Sequence, residues 1–141
     1  LLFWTGIHRN SESVLIDQEK NHDKNRNILS SMKNIVNQFI NSIKSKKISL
    51  DTIGNLLDEN WELKKQLADN VSNKFINKCY TEARKKGSLG GKILGAGNGG
   101  FLLLLAKKTN HKKIQKSLKK FGLERYSFKL ENSGSRIINN F

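Results

Sequence analysis

The most regular pattern of apolar and polar positions lies in the first third of the chain. Apolar residues recur there every three or four positions, which is the spacing of one face of an α-helix. They are Ile28, Leu29, Met32, Ile35, Val36, Phe39, Ile40 and Ile43. The same spacing predicts helices that begin near Glu12, cover 50–61 and cover 75–83. The polar segment 17–27 fits either an exposed helix or a break.

Capping and turn residues indicate where these helices end. Ser49 or Asp51 can cap the helix over 50–61, because short polar side chains accept hydrogen bonds from the first turn. Gly87 suits the end of the helix over 75–83, since glycine adopts the left-handed conformation that commonly follows a helix.

Apolar runs and strict alternation predict the strands. The runs over 1–5 and 101–105 are typical of buried strands, and a basic helix is expected over 110–121. Tyr126, Phe128 and Leu130 alternate with polar residues, which predicts a strand over 125–131 with one buried face. A short last strand is expected over 136–138.

The order of these elements indicates the fold class. A strand and four helices precede a strand, a glycine loop and a strand, after which come a helix and a strand. Two strand–helix–strand units favour an α+β fold with a ferredoxin-like antiparallel sheet and additional helices. A chain of 141 residues is expected to form a single domain over 1–141.

A glycine cluster stands between the last helix of the first unit and the apolar run from Phe101. Six glycines fall within residues 90–100, and glycine is costly to order unless the backbone needs it. The P-loop pattern fails because Ile93 follows Lys92 where a Ser or Thr is required. A G-x-G-x-x-G match precedes an apolar strand-like run rather than a helix, so it is weak. The cluster is therefore either an anion-binding loop or a hairpin that binds nothing.

Charge and composition narrow the function classes. The chain carries 26 basic and 12 acidic residues, a formal charge of +14, but it is crowded with Lys, Asn and Ile throughout. We interpret the basicity as mainly compositional, so nucleic-acid binding is not the first hypothesis. The alternative is a free-standing ferredoxin-like module that binds RNA or another polyanion, with Tyr126 and Phe128 on one strand face.

Composition offers little chemistry for a self-contained active site. The three histidines are far apart and the single Cys79 is best explained as a buried small residue, so no metal site is expected. The longest apolar run is too short to cross a bilayer. The apolar beginning of the chain, Leu1 to Trp4, leads us to expect a fragment of a longer protein.

The segment 87–106 resembles the third conserved motif of the GHMP kinases, the superfamily of galactokinase, homoserine kinase, mevalonate kinase and phosphomevalonate kinase. The segments 5–9, 60–65 and 76–83 are similar to the branch that phosphorylates D-glycero-D-manno-heptose 7-phosphate. The resemblance spans nearly the whole chain and corresponds to the C-terminal half of such an enzyme. Asn98 departs from it, because this branch usually has glycine there; Asn tolerates left-handed geometry better than most residues.

The resemblance implies part of an ATP-dependent sugar-phosphate kinase that acts on the anomeric hydroxyl in the cytoplasm. The main nucleotide loop, the Mg²⁺ ligand and the catalytic acid/base would belong to an N-terminal domain, so no catalytic residue is assigned here. The isolated chain is then expected to be inactive. A fucose-type or other GHMP kinase is the alternative parent. The loop expected to shape the pocket near the transferred phosphoryl group comprises Gly95, Ala96, Gly97, Asn98, Gly99 and Gly100.

Four basic residues are candidates for holding the substrate's own phosphate. Arg9 follows a glycine turn at a strand end, and a guanidinium matches phosphate bidentately. Lys64 and Lys65 are adjacent on a helix, so their side chains diverge and one is expected to face the cleft. Lys92 lies between the loop glycines. We also expect the strands over 1–4 and from Phe101 to be edge strands or exposed association surfaces.

Overall fold

The computed structural model describes residues 1–8 and 11–135, which form one antiparallel sheet and five α-helices. In chain order these are β1 Leu2–Trp4, α1 Ser11–Lys20, α2 Arg26–Lys44, α3 Leu50–Lys65, α4 Lys74–Lys85, β2 Ser88–Ile93, β3 Phe101–Ala106, α5 His111–Lys119 and β4 Glu124–Tyr126. Two short 3-10 helices, Asp69–Val71 and Lys108–Asn110, precede α4 and α5. The predicted α+β class and element order are confirmed.

The strand order is β2-β3-β1-β4, with every neighbouring pair antiparallel. This is the ferredoxin-like arrangement expected from two strand–helix–strand units. The prediction that β1 and β3 are edge strands is wrong, because they pair with each other in the middle of the sheet. Their apolar runs suit the positions that are flanked on both sides, while β2 and β4 form the edges.

The core lies between the helices and one face of the sheet. Phe3, Leu102 and Leu104 point into it from the central strands, and Trp61 and Ile114 from the helices; all five are buried. Alternate strand residues point to the other face, as the period of two requires. There the rings of Trp4 and Phe101 lie 5.0 Å apart, and those of Phe101 and Tyr126 lie 5.2 Å apart.

The polar segment 17–27 combines both predicted options, since α1 continues to Lys20 and a turn then separates it from α2. Buried Asn25 ends that turn, and its Nδ2 donates to the carbonyl of Leu67 at 2.6 Å. The predicted cap of α3 is confirmed, because Ser49 Oγ accepts from the Thr52 N–H at 3.0 Å. Gly87, with φ of 95°, ends α4 as predicted.

Helix α3 lies against edge strand β2 at very close range. A Cβ added to Gly90 would stand 2.0 Å from the carbonyl oxygen of Gly54, and one added to Gly54 would stand 2.4 Å from the Cβ of Leu89. The helix backbone can therefore approach the strand only because both positions are glycine. This contact lies in the first half of both α3 and β2; at the other end of α3, Lys64 contacts the glycine loop that follows β2.

Helix α2 forms as predicted, but the apolar face of its second half is not covered by described residues. Val36 and Ile43 are 53% and 50% exposed, whereas Ile35 is buried. The exposed large residues continue past α2 into the start of α3. We call this set the outer stripe: Val36, Phe39, Ile40, Ile43, Ile48 and Leu50.

The predicted strand over 125–131 with a buried face is wrong in length and in burial. β4 ends at Tyr126, and Phe128 and Leu130 are 53% and 84% exposed. β4 pairs only with β1, which has three residues, so the ladder has no partner for a longer strand. The expected strand over 136–138 lies outside the described residues.

Candidate functional site

The glycine cluster forms the hairpin connection between β2 and β3. The Leu94 N–H donates to the carbonyl of Phe101 at 2.9 Å and closes the base of the loop. Positive φ angles follow at Gly95 (78°), Gly97 (127°), Asn98 (59°) and Gly100 (80°). A strand and no helix follows, so the dinucleotide-binding arrangement of G-x-G-x-x-G is not formed here.

The centre of the loop touches the backbone of the short helix Asp69–Val71. The Asn98 N–H donates to the carbonyl of Val71 at 2.7 Å, and a Cβ on Gly97 would stand 2.4 Å from that same oxygen. Glycine at position 97 is therefore required twice, by its φ angle and by the close approach.

Asn98, the departure from the heptose-kinase pattern, is tied to the start of α4. The left-handed conformation at position 98 places its side chain beside Asn73, whose Nδ2 donates to Asn98 Oδ1 at 2.8 Å. Asn73 Oδ1 accepts from the Ile76 N–H at 2.9 Å and caps the helix. One side chain thus links the loop to a helix N-terminus.

Two further segments hold the loop ends. Gly100 accepts from both the N–H and the hydroxyl of Thr5, at 3.0 and 2.7 Å, and donates to the carbonyl of Ile7 at 2.9 Å. On the other side, Gln18 Nε2 donates to the carbonyl of Ala96 at 3.3 Å. The loop is therefore fixed by the segment after β1, by α1, by the short helix before α4 and by the N-cap of α4.

These contacts leave several loop N–H groups without an acceptor. Within 1–8 and 11–135, the N–H groups of Gly95, Ala96, Gly97 and Gly99 donate no hydrogen bond to the protein, although Gly97 and Gly99 are buried. Buried backbone donors without a partner are rare in folded proteins. Successive N–H groups in a turn of this kind form a concave cradle suited to an anion.

One of the predicted lysines, Lys64, contacts this loop, and a second, Lys92, lies on β2 just before it. Lys64 Nζ donates to the carbonyl of Gly95 at 2.5 Å from the end of α3. Burial, and then the positive charge of Lys92 on β2, lower the pKa of the Lys64 ammonium. Lys65 points elsewhere and pairs with Glu62 at 2.7 Å. Arg9, the first candidate, lies outside the described residues.

The sequence-based reasoning missed the residues that anchor the loop: Thr5, Gln18, Val71 and Asn73. Asn73 had a usable signal, because it stands directly before the apolar helical pattern of α4 and is a good N-cap residue. Val71 acts through its carbonyl, which any residue carries, so its role left no trace in the sequence. Gln18 lies 78 positions from its partner.

Metal and membrane features were also searched in the part of the chain that the structure covers. No group of three or more His, Cys, Asp or Glu side chains there is arranged to hold a metal ion. No helix in this part has the length and apolar character needed to cross a membrane. The buried Cys79 thiol has its pKa raised to about 11, mainly by burial, so it is a poor nucleophile.

The family profile described as "GHMP kinases C terminal" matches residues 40–123, which is more than half of the chain and includes the loop. The chain belongs to this family. GHMP kinases are phosphotransferases that use ATP. The sequence resemblance to this superfamily is thereby confirmed.

Two curated relatives share parts of the sequence. The bifunctional fucokinase/GDP-fucose pyrophosphorylase of Arabidopsis thaliana is 41% identical over 58 residues, which are 41% of this chain and 5% of that protein. The D-glycero-alpha-D-manno-heptose 7-phosphate kinase of Campylobacter jejuni is 33% identical over 69 residues, 49% of this chain and 20% of that protein. The chain thus matches no more than a fifth of either relative.

A solved structure supports the same relationship. The L. major mevalonate kinase, in complex with R-mevalonate, superposes with a TM-score of 0.70 at 26% identity. The match covers 84% of this chain and 37% of that chain. The fold described here therefore corresponds to one part of a larger kinase.

Proposed function

We propose that this chain is the C-terminal domain of an ATP-dependent kinase that phosphorylates the anomeric hydroxyl of D-glycero-D-manno-heptose 7-phosphate. The observation that carries the proposal is the anchored loop over 95–100, in which four N–H groups donate no hydrogen bond to any described residue. Two lysines stand beside it, Lys64 and Lys92. Phosphoryl transfer depends on positioned hydrogen-bond donors, which the N–H groups of this loop supply.

The donor set fits phosphate oxygens and does not fit Mg²⁺. Backbone N–H groups and ammonium groups bind anions, whereas Mg²⁺ requires oxygen ligands such as carboxylates. ATP and Mg²⁺ are therefore assigned mainly to an N-terminal kinase domain, the proposed partner of this chain. The loop would complete the pocket near the transferred phosphoryl group, and its anchored carbonyls at Gly95 and Ala96 keep its N–H groups in place.

The heptose 7-phosphate assignment rests on the phosphate that the sugar substrate already carries. The positive charge of Lys92 contributes, after burial, to the lowered pKa of the Lys64 ammonium, so positive charge is concentrated on this side of the loop. A dianionic phosphate placed there would relieve that repulsion. Arg9 is retained as a further candidate for the same phosphate, and the cytoplasm remains the proposed location.

Fucose-type kinase activity is the second candidate, because the Arabidopsis relative has the higher identity, 41%. Fucose carries no phosphate, so the two candidates differ in what the cations would hold. A full-length parent enzyme that prefers fucose over the heptose phosphate would favour the second candidate and remove the role proposed for Lys64 and Lys92.

The decisive experiment compares Lys64→Ala with Lys65→Ala in the full-length parent. A charge-assisted phosphate contact is worth about 1.5–3 kcal/mol, so Lys64→Ala should lower kcat/KM for heptose 7-phosphate by about ten- to a hundredfold. Unphosphorylated heptose is the control substrate. Loss of the Lys64 contact with Gly95 affects both sugars equally, whereas loss of a phosphate contact also lowers the ratio of kcat/KM for the phosphorylated over the unphosphorylated sugar.

Lys65→Ala is the matched control variant, because Lys65 is adjacent to Lys64 and pairs with Glu62 instead. It should leave the ratio of kcat/KM for the two sugars unchanged. If Lys64→Ala, Lys92→Ala and Arg9→Ala all keep the parent's ratio, the phosphate is held elsewhere and this site assignment is wrong.

A further inference from the structure

The outer stripe borders a groove between α2 and α3 that has a volume of about 280 Å³. The groove is lined by Ile35, Val36 and Phe39 of α2 and by Ile53, Leu56 and Leu57 of α3. Together they make a continuous apolar surface on the side of the helix pair away from the sheet. Large exposed apolar patches of this kind mark interaction surfaces in soluble proteins.

The charges beside this surface differ in sign between the two helices. α2 contains no acidic residue in its 19 positions, while α3 carries four acidic residues. Lys33 of α2 and Glu59 of α3 are both exposed, and neither forms an ion pair with another described residue. Within the described part of the chain, the surface is therefore flanked by one unpaired cation on α2 and one unpaired carboxylate on α3.

The connection between the helices places these two charges at the same end of the groove. Only residues 45–49 join α2 to α3, so the helices run antiparallel. Lys33 lies one turn before Val36, and Glu59 lies one turn after Leu56. Because the helices run in opposite directions, both turns extend toward the same end.

We infer that the outer stripe is the interface of a symmetric dimer with a second copy of this chain. When the two-fold axis is parallel to the helices, α2 of each copy packs on α3 of the other. Lys33 of one copy then lies level with Glu59 of the second, and symmetry makes the same pair twice. An axis across the helices would instead bring α2 onto α2, with Lys33 facing the like charge of Lys44.

The position of the stripe separates it from the phosphate loop. Lys64 contacts the loop, whereas Leu50 of the stripe and Leu56 of the adjoining groove lie 14 and 8 residues before it on α3. At a rise of about 1.5 Å per residue, these distances along the helix are about 21 and 12 Å. A domain that docks against the loop can therefore leave the stripe open for a second copy.

The first test is sedimentation equilibrium of the 141-residue chain and of matched variants. The chain should show a concentration-dependent monomer–dimer equilibrium. Val36→Glu should raise the dimer dissociation constant at least about a hundredfold, because it buries a charge in the apolar centre. Leu15→Glu is the control, since Leu15 is a helical residue of similar exposure, 54%, outside the stripe; its dissociation constant should match that of the parent chain.

The second test uses charge reversal to identify the pairing. Lys33→Glu and Glu59→Lys should each weaken the dimer about tenfold, since each creates two like-charge contacts by symmetry. The double variant should recover the dissociation constant of the parent chain. Weakening in both single variants with recovery in the double variant is specific to α2 packing on α3.

Three outcomes of these sedimentation tests would overturn the inference, and a hydrogen-exchange measurement adds a fourth. One is a parent chain that remains monomeric up to several hundred micromolar, and another is a dimer that survives Val36→Glu. The third is a double charge reversal that fails to recover the dimer. If hydrogen exchange at the stripe slows only when a separately produced N-terminal kinase domain is added, the stripe is an interdomain surface and the dimer is wrong.

Discussion

The loop over 94–100 is irregular in backbone but is held by many contacts, whereas the second half of α2 is regular but has an uncovered apolar face. The loop has irregular backbone with four positive φ angles, yet side chains and carbonyls from five other segments hold it. α2 is the most regular element of the chain, yet its outer stripe contacts nothing among residues 1–8 and 11–135 that would bury it. Regularity is therefore a poor guide to how tightly a segment is fixed.

The difference arises from what each segment needs. A helix satisfies most of its backbone hydrogen bonds internally, so it can form with one face uncovered. The loop cannot satisfy its own carbonyls and N–H groups, so it holds one conformation only through external partners. Substitutions should accordingly have large effects around the loop and effects on α2 that depend on which face is changed.

The largest expected effect is at Gly97. Gly97→Val in the full-length parent should lower kcat/KM at least about a hundredfold, because a Cβ 2.4 Å from the Val71 carbonyl must displace the loop. Gly95→Ala is the control. It has a positive φ and no atom within 4 Å of the added Cβ, so it tests backbone strain alone and should retain most activity. Steady-state kinetics with circular dichroism would check both, and parent kinetics in Gly97→Val would reduce the loop to a hairpin.

The sequence predicted the elements whose pattern is local and failed where the outcome depends on a distant partner. Apolar spacing located α2, α3, α4 and the central strands, and the glycine cluster located the loop. The length of β4 could not be predicted because it is set by three residues of β1, more than a hundred positions away. The apolar spacing of α2 could not show that Val36 lies outside the core. Such spacing identifies the apolar face of a helix but not whether another element packs against it.

The site was predictable to a similar degree. A structural need for Gly97 and the flanking glycines was predicted because glycine is entropically costly to order. Either Lys64 or Lys65 was expected to face the cleft. The anchoring carbonyl of Val71 could not be predicted because it depends on tertiary structure alone. Arg9 stays a prediction.

The next effect compares adjacent residues of α2. Ile35 is buried and Val36 is 53% exposed, so Ile35→Ala should lower the free energy of unfolding by about 2–4 kcal/mol. Val36→Ala should change it by less than about 0.5 kcal/mol in dilute solution, where no second copy covers the stripe. Urea denaturation at low micromolar protein would measure both. Equal losses in the two variants would show that the outer stripe is part of the monomer's core.

A smaller effect is expected at Asn73, which caps α4 and holds Asn98. Asn73→Ala removes both contacts and should cost about 1–2 kcal/mol of stability. Asn73→Asp keeps an oxygen for the Ile76 N–H but loses the donor to Asn98, so its loss should be smaller. Thermal denaturation of the two variants separates the cap from the loop contact, and identical losses would show that the link to Asn98 adds nothing.

The smallest effect concerns pH and Lys64. Burial and the charge of Lys92 lower the Lys64 pKa in the folded chain relative to its usual value of 10.5. Between the two pKa values the unfolded chain binds more protons, so the free energy of unfolding rises with pH through this window just below 10.5. Below the folded pKa both states are protonated, and the contribution is constant.

Lys64→Met should remove this rise, and Lys92→Met should reduce it by removing the second cause. Lys65→Met, made in parallel, corrects for the general effect of losing one positive charge from a strongly basic chain. Urea denaturation at closely spaced pH values from 8 to 10.5 gives the curves, and the informative quantity is the difference between parent and variant slopes. If Lys64→Met and Lys65→Met give the same curve, the Lys64 amine is fully solvated. The amine would then not be fixed at the loop. The loop would lack the firmly held cation that distinguishes it from the uncovered face of α2.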